Sequence, residues 1–227
     1  MNLQDKNLKN SPLYEERYGY NEDGKTTTFY LVLILLVCAV LFLRMHLVSN
    51  YGGVQVSGSS MYDTLYDGEQ LLMKNTDGTD AKRGDIIVVY VGNYQEFHSG
   101  STKYLIKRLI AIEGDKVRCS RGEMEICYAG TNVWVDLDEP YAYYENASIY
   151  SFGEYTVGKG EVFFLGDNRN NSQDSRYNEG HSRLDCLYKR SDIVGIVPQW
   201  AVEYQWVLEK IFFNSIGGFG AKHEKGN

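Results

Sequence analysis

The chain has 227 residues, 43% hydrophobic and 23% charged, a length and balance that suit one globular domain of ordinary size with an appendage. Nineteen Tyr against three Pro favour a β-rich fold, because aromatic side chains suit strands. A formal net charge of −7 argues against a nucleic-acid partner, since phosphate binding needs a basic face.

In chain order, residues 1–27 are polar with both charge signs (Glu15, Glu16, Arg17, Glu22, Asp23), as expected of a mobile cytoplasmic tail. Phe29 to Leu43, FYLVLILLVCAVLFL, is an uninterrupted apolar run. Taken as residues 28–48 it reaches the ~20 residues that span a bilayer. A core helix apolar on every face is unusual, and Val48-Ser49-Asn50-Tyr51 is a poor cleavage site for a signal peptide. One uncleaved transmembrane anchor is therefore expected, with the lipid bilayer as a partner. Lys6, Lys9, Arg17 and Lys25 precede the span and Arg44 sits near its far end. That asymmetry puts the N-terminus in the cytoplasm and the large domain outside the cell membrane. Ser49 to Gly53 reads as a short linker.

Strand-like runs follow. Gln70–Met73 comes after the turn Tyr66-Asp67-Gly68-Glu69, and Ile86–Val91 after Arg83-Gly84-Asp85. Tyr104–Ile112 is a third run, interrupted by Lys107 and Arg108. Neighbours on a strand point to opposite faces, so one of these two charges is expected to look inward. An inward charge needs a partner or a function. From the pattern alone, a snorkelling edge-strand lysine competes with a functional one at 107. Residues 117–159 are polar, turn-rich and Tyr-rich, and read as an inserted cap that starts with a hairpin from Val117 to Cys127. Glu161–Leu165 is a strand stopping at Gly166, and Ile193–Val197 is the last strand. The domain is thus expected over 49–200, with a C-terminal tail over 201–227 whose charges make a second span improbable. Of the four Cys, Cys38 lies in the span; Cys119 and Cys127 are compatible with a disulfide in an extracytoplasmic domain, which leaves Cys186 odd.

Several familiar sites are missing. His46, His98, His181 and His223 are scattered with no H-E-x-x-H, and there is no C-x-x-C and no phosphate-binding G-x-x-x-x-G-K-[ST]. Residues 167–174 look faintly like a calcium loop, which Arg169 and the lack of the required Gly spoil. No metal and no cofactor is implied. What remains is a serine in the bend Gly58-Ser59-Ser60-Met61 and a lysine inside a strand. A Ser–Lys pair is a known form of activated nucleophile. It demands that desolvation lower the lysine pKa from its ordinary ~10.4 by several units, and Leu105, Ile106, Leu109 and Ile110 can supply that burial.

Three blocks together resemble bacterial type I (leader) signal peptidases of the Ser/Lys kind, peptidase family S26. Gly58-Ser59-Ser60-Met61-Tyr62-Asp63-Thr64-Leu65 is similar to the family's G-x-S-M-x-P-T-L box. Tyr104 to Asp115 is similar to its lysine box, and Gly166 to Tyr177 to its G-D-N-x-x-x-S-x-D-S-R box. Asp63 stands where the family has Pro, which is expected to loosen the turn, and Ala111 and Glu113 replace a Gly and a Pro. The segment Asn178 to Arg190 is longer and more charged.

The resemblance implies a mostly β, antiparallel catalytic domain with a smaller cap behind one transmembrane helix. It implies a membrane-anchored serine endopeptidase cleaving signal peptides from secreted preproteins with small residues before the cut. Ser60 would be the nucleophile and Lys107 the base. Ser172 would hydrogen-bond and orient the lysine nitrogen, Asp167 would pair with Arg108, and Asp174 with Arg176. The oxyanion donors would be the Ser60 N–H and a group near Gly58, with Ser57 or Ser59 as alternatives. Met61, Tyr62, Leu65 and Tyr66 are expected to dip into the outer leaflet. Alternatives are a relative specialised for pilin processing, a pilus-assembly chaperone that has lost catalysis, and a self-cleaving Ser–Lys repressor, which would need a DNA-binding helix pair where this chain has an apolar span.

Overall fold

The computed structural model describes residues 20–94, 104–176, 188–208 and 210. His98, His181, Cys186, His223 and most of the charged segment after Tyr177 lie outside the described residues.

The chain divides into two units, residues 1–50 and 51–227. In the first, helix α1 (Tyr20–Asn50) contains a stretch from Gly24 to Asn50 that is long and apolar enough to cross a membrane, with none of it buried against protein. Its 27 residues extend about 40 Å at 1.5 Å each, more than a ~30 Å hydrocarbon core. The expected linker over 49–53 is absent. Asn50 Nδ2 donates to the His46 carbonyl at 2.7 Å inside the last helical turn, and strand β1 begins at the next residue.

In the second unit the strands are β1 (Tyr51–Gln55), β2 (Gln70–Asn75), β3 (Ile86–Tyr90), β4 (Tyr104–Ile112), β5 (Lys116–Ser120), β6 (Glu123–Cys127), β7 (Trp134–Asp136), β8 (Phe152–Thr156), β9 (Glu161–Leu165), β10 (Tyr188–Lys189) and β11 (Ile193–Val197). Short helices α2 (Gln199–Glu203) and α3 (Gln205–Leu208) follow. The described strands form a seven-stranded sheet in the order β1-β2-β11-β3-β4-β9-β10 and a four-stranded sheet in the order β7-β6-β5-β8, with every named pair antiparallel. The β-branched and aromatic runs produce this outcome, because alternate side chains can be buried on a pleated surface.

Strand β4 joins the parts. Its first half pairs with β3, Ile86 opposite Arg108 and Ile87 opposite Lys107. Its second half pairs with β9, Arg108 opposite Leu165. It then turns at Gly114 into β5 of the smaller sheet. Asp115, fully buried, closes that turn by accepting from the Ile112 and Ala129 N–H groups and bidentately from Arg83 at 2.6 and 2.8 Å.

One expectation fails in the smaller sheet. Cys119 pairs with Met124 and Cys127 with Lys116, so the two thiols stand three register positions apart along the hairpin. At about 3.4 Å per residue that is roughly 10 Å, beyond the reach of a disulfide. Both thiols are buried and free.

Candidate active site

Ser60 sits in a turn fastened from inside and outside. The Tyr62 N–H donates to the Ser59 carbonyl at 3.1 Å, and the Thr64 and Leu65 N–H groups donate to the Met61 carbonyl at 2.9 and 2.8 Å. Met61 and Leu65 are 1% and 0% exposed, packed with Val56, Leu71 and Val88. Burying side chains of that size contributes roughly 1.5–3 kcal/mol each. They therefore cannot enter a lipid leaflet, contrary to expectation; only Tyr62 and Tyr66 of that group reach the surface. The Asp63 carboxylate accepts from the Tyr66 hydroxyl at 2.6 Å, a bond that a Pro at this position could not make.

Lys107 and Arg108 leave β4 in opposite directions, yet both are buried, at 2% and 8% exposure. The inward charge expected on β4 is thus found twice, because the strand is covered on both faces from Lys107 to Ala111, and each charge has its own remedy. Arg108 donates to Asp167 at 2.8 and 2.6 Å and to the Gly84 carbonyl at 2.8 Å, with the Tyr141 ring centroid 3.8 Å from its guanidinium carbon. Lys107 has no carboxylate within salt-bridge reach among the described residues. Its Nζ lies 2.6 Å from Ser60 Oγ and 3.1 Å from the Ile106 carbonyl. Burial pushes its pKa down from 10.5 to about 8, against an upward pull from the charges of Asp174 and Asp167.

That cost predicts a stability effect. The folded pKa lies below the unfolded one, so the folded state bears the cost in full below pH 8 and loses it as pH rises toward 10.5. Lys107→Met should therefore be more stable than wild type at pH 7, by at most about 3 kcal/mol, with the gain shrinking between pH 8 and 10.5. Denaturant titrations of both proteins across that range check it; a constant difference would contradict it.

Loop 166–176 packs on the serine turn. Asp167, fully buried, also accepts from the Thr64 hydroxyl at 2.6 Å, tying β4 to the turn. Asp174 accepts from Arg176 Nε at 2.8 Å and Nη2 at 3.0 Å and from the Gly166 N–H at 3.2 Å, closing the loop on itself. Ser172 departs from expectation. Its Oγ is buried with no hydrogen-bond partner among the described residues, and the lysine nitrogen is held by Ser60 and Ile106 instead. Ser172 Oγ lies over Gly166, where an added Cβ would overlap both it and the Ser60 carbonyl oxygen. Gly166→Ala should therefore push the Ser60 backbone and cost about 1–3 kcal/mol by overpacking; thermal melts and cleavage rates should fall together.

Of the expected oxyanion donors, Gly58 is corrected. It adopts φ +84°, a conformation that favours glycine, and its N–H already donates to Asp67 at 2.7 Å. The Ser60 N–H donates to no described residue. Ser59 Oγ accepts from Asn171 Nδ2 at 3.0 Å.

Sequence reasoning missed several groups. Asn168 donates from its backbone to the Ser60 carbonyl and from Nδ2 to the Ser59 carbonyl, both at 3.0 Å. Arg169, fully buried, holds Glu139 of the cap through two 2.6 Å bonds and the Tyr144 hydroxyl at 3.0 Å. A parallel bridge joins Tyr143 to Asn168. The only sequence signal for Asn168 and Arg169 was their place in a dense polar box, and nothing local points to partners more than 20 residues away.

Comparison with known proteins shows the family. The family described as "Signal peptidase, peptidase S26" matches residues 26–201. Signal peptidase I T of Bacillus subtilis (strain 168) is 34% identical over 180 residues, covering 75% of this chain and 87% of that protein. Signal peptidase I P of Bacillus subtilis subsp. natto is 35% identical over 193 residues, covering 81% and 89%. A crystal structure of a signal peptidase I from Enterococcus faecalis is similar with a TM-score of 0.38 at 23% identity, over 53% of this chain and 98% of that one.

Proposed function

The chain belongs to the signal peptidase family, peptidase S26, and we propose that Ser60 and Lys107 are the nucleophile and base with which it cleaves signal peptides from exported preproteins. The observation carrying this assignment is the 2.6 Å separation of Ser60 Oγ from a buried lysine nitrogen whose pKa is lowered to about 8.

Neutral Lys107 takes the Ser60 proton as Oγ attacks the carbonyl before the cut. The Ser60 N–H donates to the developing oxyanion. The resulting ammonium returns its proton to the leaving amine, which departs as the new N-terminus of the mature protein. Lys107 then deprotonates a water that attacks the ester, releasing the signal peptide and restoring the Ser60 hydroxyl. Arg108–Asp167 and Asp174–Arg176 are scaffold pairs that place the turn and the loop, not proton carriers.

The edge of β4 from Tyr104 to Lys107 that faces away from β3 has no strand partner among the described residues. An extended peptide can add there by backbone hydrogen bonding and pass Ser60. Small residues at the first and third positions before the cut are the substrate feature that the family implies. The apolar helix anchors the chain in the cell membrane, N-terminus cytoplasmic and catalytic domain outside, where preproteins emerge. The chaperone alternative required loss of the serine or lysine, and both are present and in contact.

The test is cleavage of a preprotein with Ala at those two positions by the full chain in lipid vesicles, beside Ser60→Ala and Lys107→Ala. Equal cleavage by all three would overturn the assignment. Bulky residues at either position should block cleavage.

A further inference from the structure

A serine hydrolase needs more than a nucleophile and a base. The peptide N–H beside the nucleophile must point at the place where negative charge develops, and must not turn away. The two peptide units that flank Ser60 are both held by one residue. Asn168 Nδ2 donates to the Ser59 carbonyl, and the Asn168 backbone N–H donates to the Ser60 carbonyl, each at 3.0 Å. In a trans peptide the C=O and N–H of one unit point in opposite directions. A Ser59 carbonyl drawn toward Asn168 therefore aims the Ser60 N–H away from loop 166–176, and that N–H donates to no described residue. The Tyr62 N–H pulls the same carbonyl from within the turn at 3.1 Å. Tyr62 moves with the turn, however, while Asn168 belongs to a separately anchored segment.

That anchoring is substantial. Asn168 is 7% exposed and bridged to Tyr143. Its neighbours are Asp167, clamped by Arg108, and Arg169, clamped by Glu139, both fully buried. The cap reaches the catalytic turn through this short segment.

We propose that Asn168 is a positioning residue that sets the oxyanion-binding peptide, acting through the Ser60 N–H and not on substrate. The proposal rests on the assignment of Ser60 as nucleophile. It separates two functions within one turn: Lys107 governs the proton, and Asn168 governs the direction of the donor.

The test uses the full chain in vesicles. Asn168→Ala removes the side-chain bond and keeps the backbone one. Asn168→Leu keeps the bulk but has no donor and adds no charge, and it serves if the Ala variant melts early. Either should lower kcat by about 30-fold, short of the roughly 10²–10³-fold known for complete loss of an oxyanion donor. KM should stay within about twofold, and the pH at which the rate levels off should not move. Affinity for a substrate-derived peptide aldehyde, which forms a tetrahedral adduct on a serine, should fall by the same factor as kcat/KM.

Three outcomes overturn the proposal: kcat within twofold of wild type in both variants, a displaced pH profile, or loss that appears equally in KM and in melting temperature. If Ser60→Ala cleaves as well as wild type, the nucleophile assignment itself falls and takes this proposal with it. If Ser60→Ala is inactive and the Asn168 variants are normal, only the role of Asn168 is lost.

Discussion

Replacing Lys107 by Ala should lower preprotein cleavage by about 10⁴–10⁶-fold, the scale seen when a member of a nucleophile–base pair is removed. Wild-type cleavage should rise about tenfold per pH unit and level off near pH 8. The sign follows from the chemistry. A lysine that serves as base works as the neutral amine, and with a pKa of about 8 only about a tenth of the molecules carry Lys107 in that form at pH 7. An unshifted lysine would leave less than one in a thousand neutral at that pH. Burial thus provides a gain of more than a hundredfold in competent enzyme. Initial rates between pH 6 and 9.5, with substrate well below KM, report the free enzyme's pKa. A profile flat across that range, or one falling with pH, would exclude Lys107 as base.

Asp167→Ala should destabilise the fold by roughly 3–5 kcal/mol, because it strands a buried cation. Arg108 would keep the Gly84 carbonyl and the face of Tyr141, neither of which carries a countercharge. The loss also frees Thr64, so the serine turn and β4 lose a shared fastening. The double variant Arg108→Met/Asp167→Ala should recover much of the stability, since an apolar pair avoids the uncompensated charge. Urea titrations of the two single variants and the double variant measure this coupling directly. Costs that simply add would mean that the pair is not an interacting unit.

The two effects arise from neighbouring residues treated in opposite ways. Arg108 is matched by Asp167. Lys107 is buried without a salt-bridge partner among the described residues, and burial moves its pKa toward the neutral form. A strand buried on both faces makes both treatments possible at adjacent positions.

Much of this protein is legible in local pattern. The apolar run at 29–43 declares a helix able to span a membrane, because length and hydropathy suffice for that judgement. Strands β4, β9 and β11 have the bounds that their β-branched and aromatic runs suggest. The three motif blocks singled out Ser60 with Lys107, Arg108 with Asp167 and Asp174 with Arg176 before any distance was known, and the structure places the members of each pair in contact. Tertiary structure decided what depends on partners distant in sequence. Whether Lys107 snorkels to solvent or is buried turned on what packs over its side chain, which leaves it 2% exposed, and strand period alone does not encode that. The burial of Met61 and Leu65, the reach between Cys119 and Cys127, the engagement of the Gly58 N–H and the unpartnered Ser172 hydroxyl each depend on register or on a second segment. Asn168 is the clearest case. Its side chain acts on a carbonyl 109 residues away. Chain chemistry can make an amide available, but only the packing of loop 166–176 on the serine turn gives it a direction.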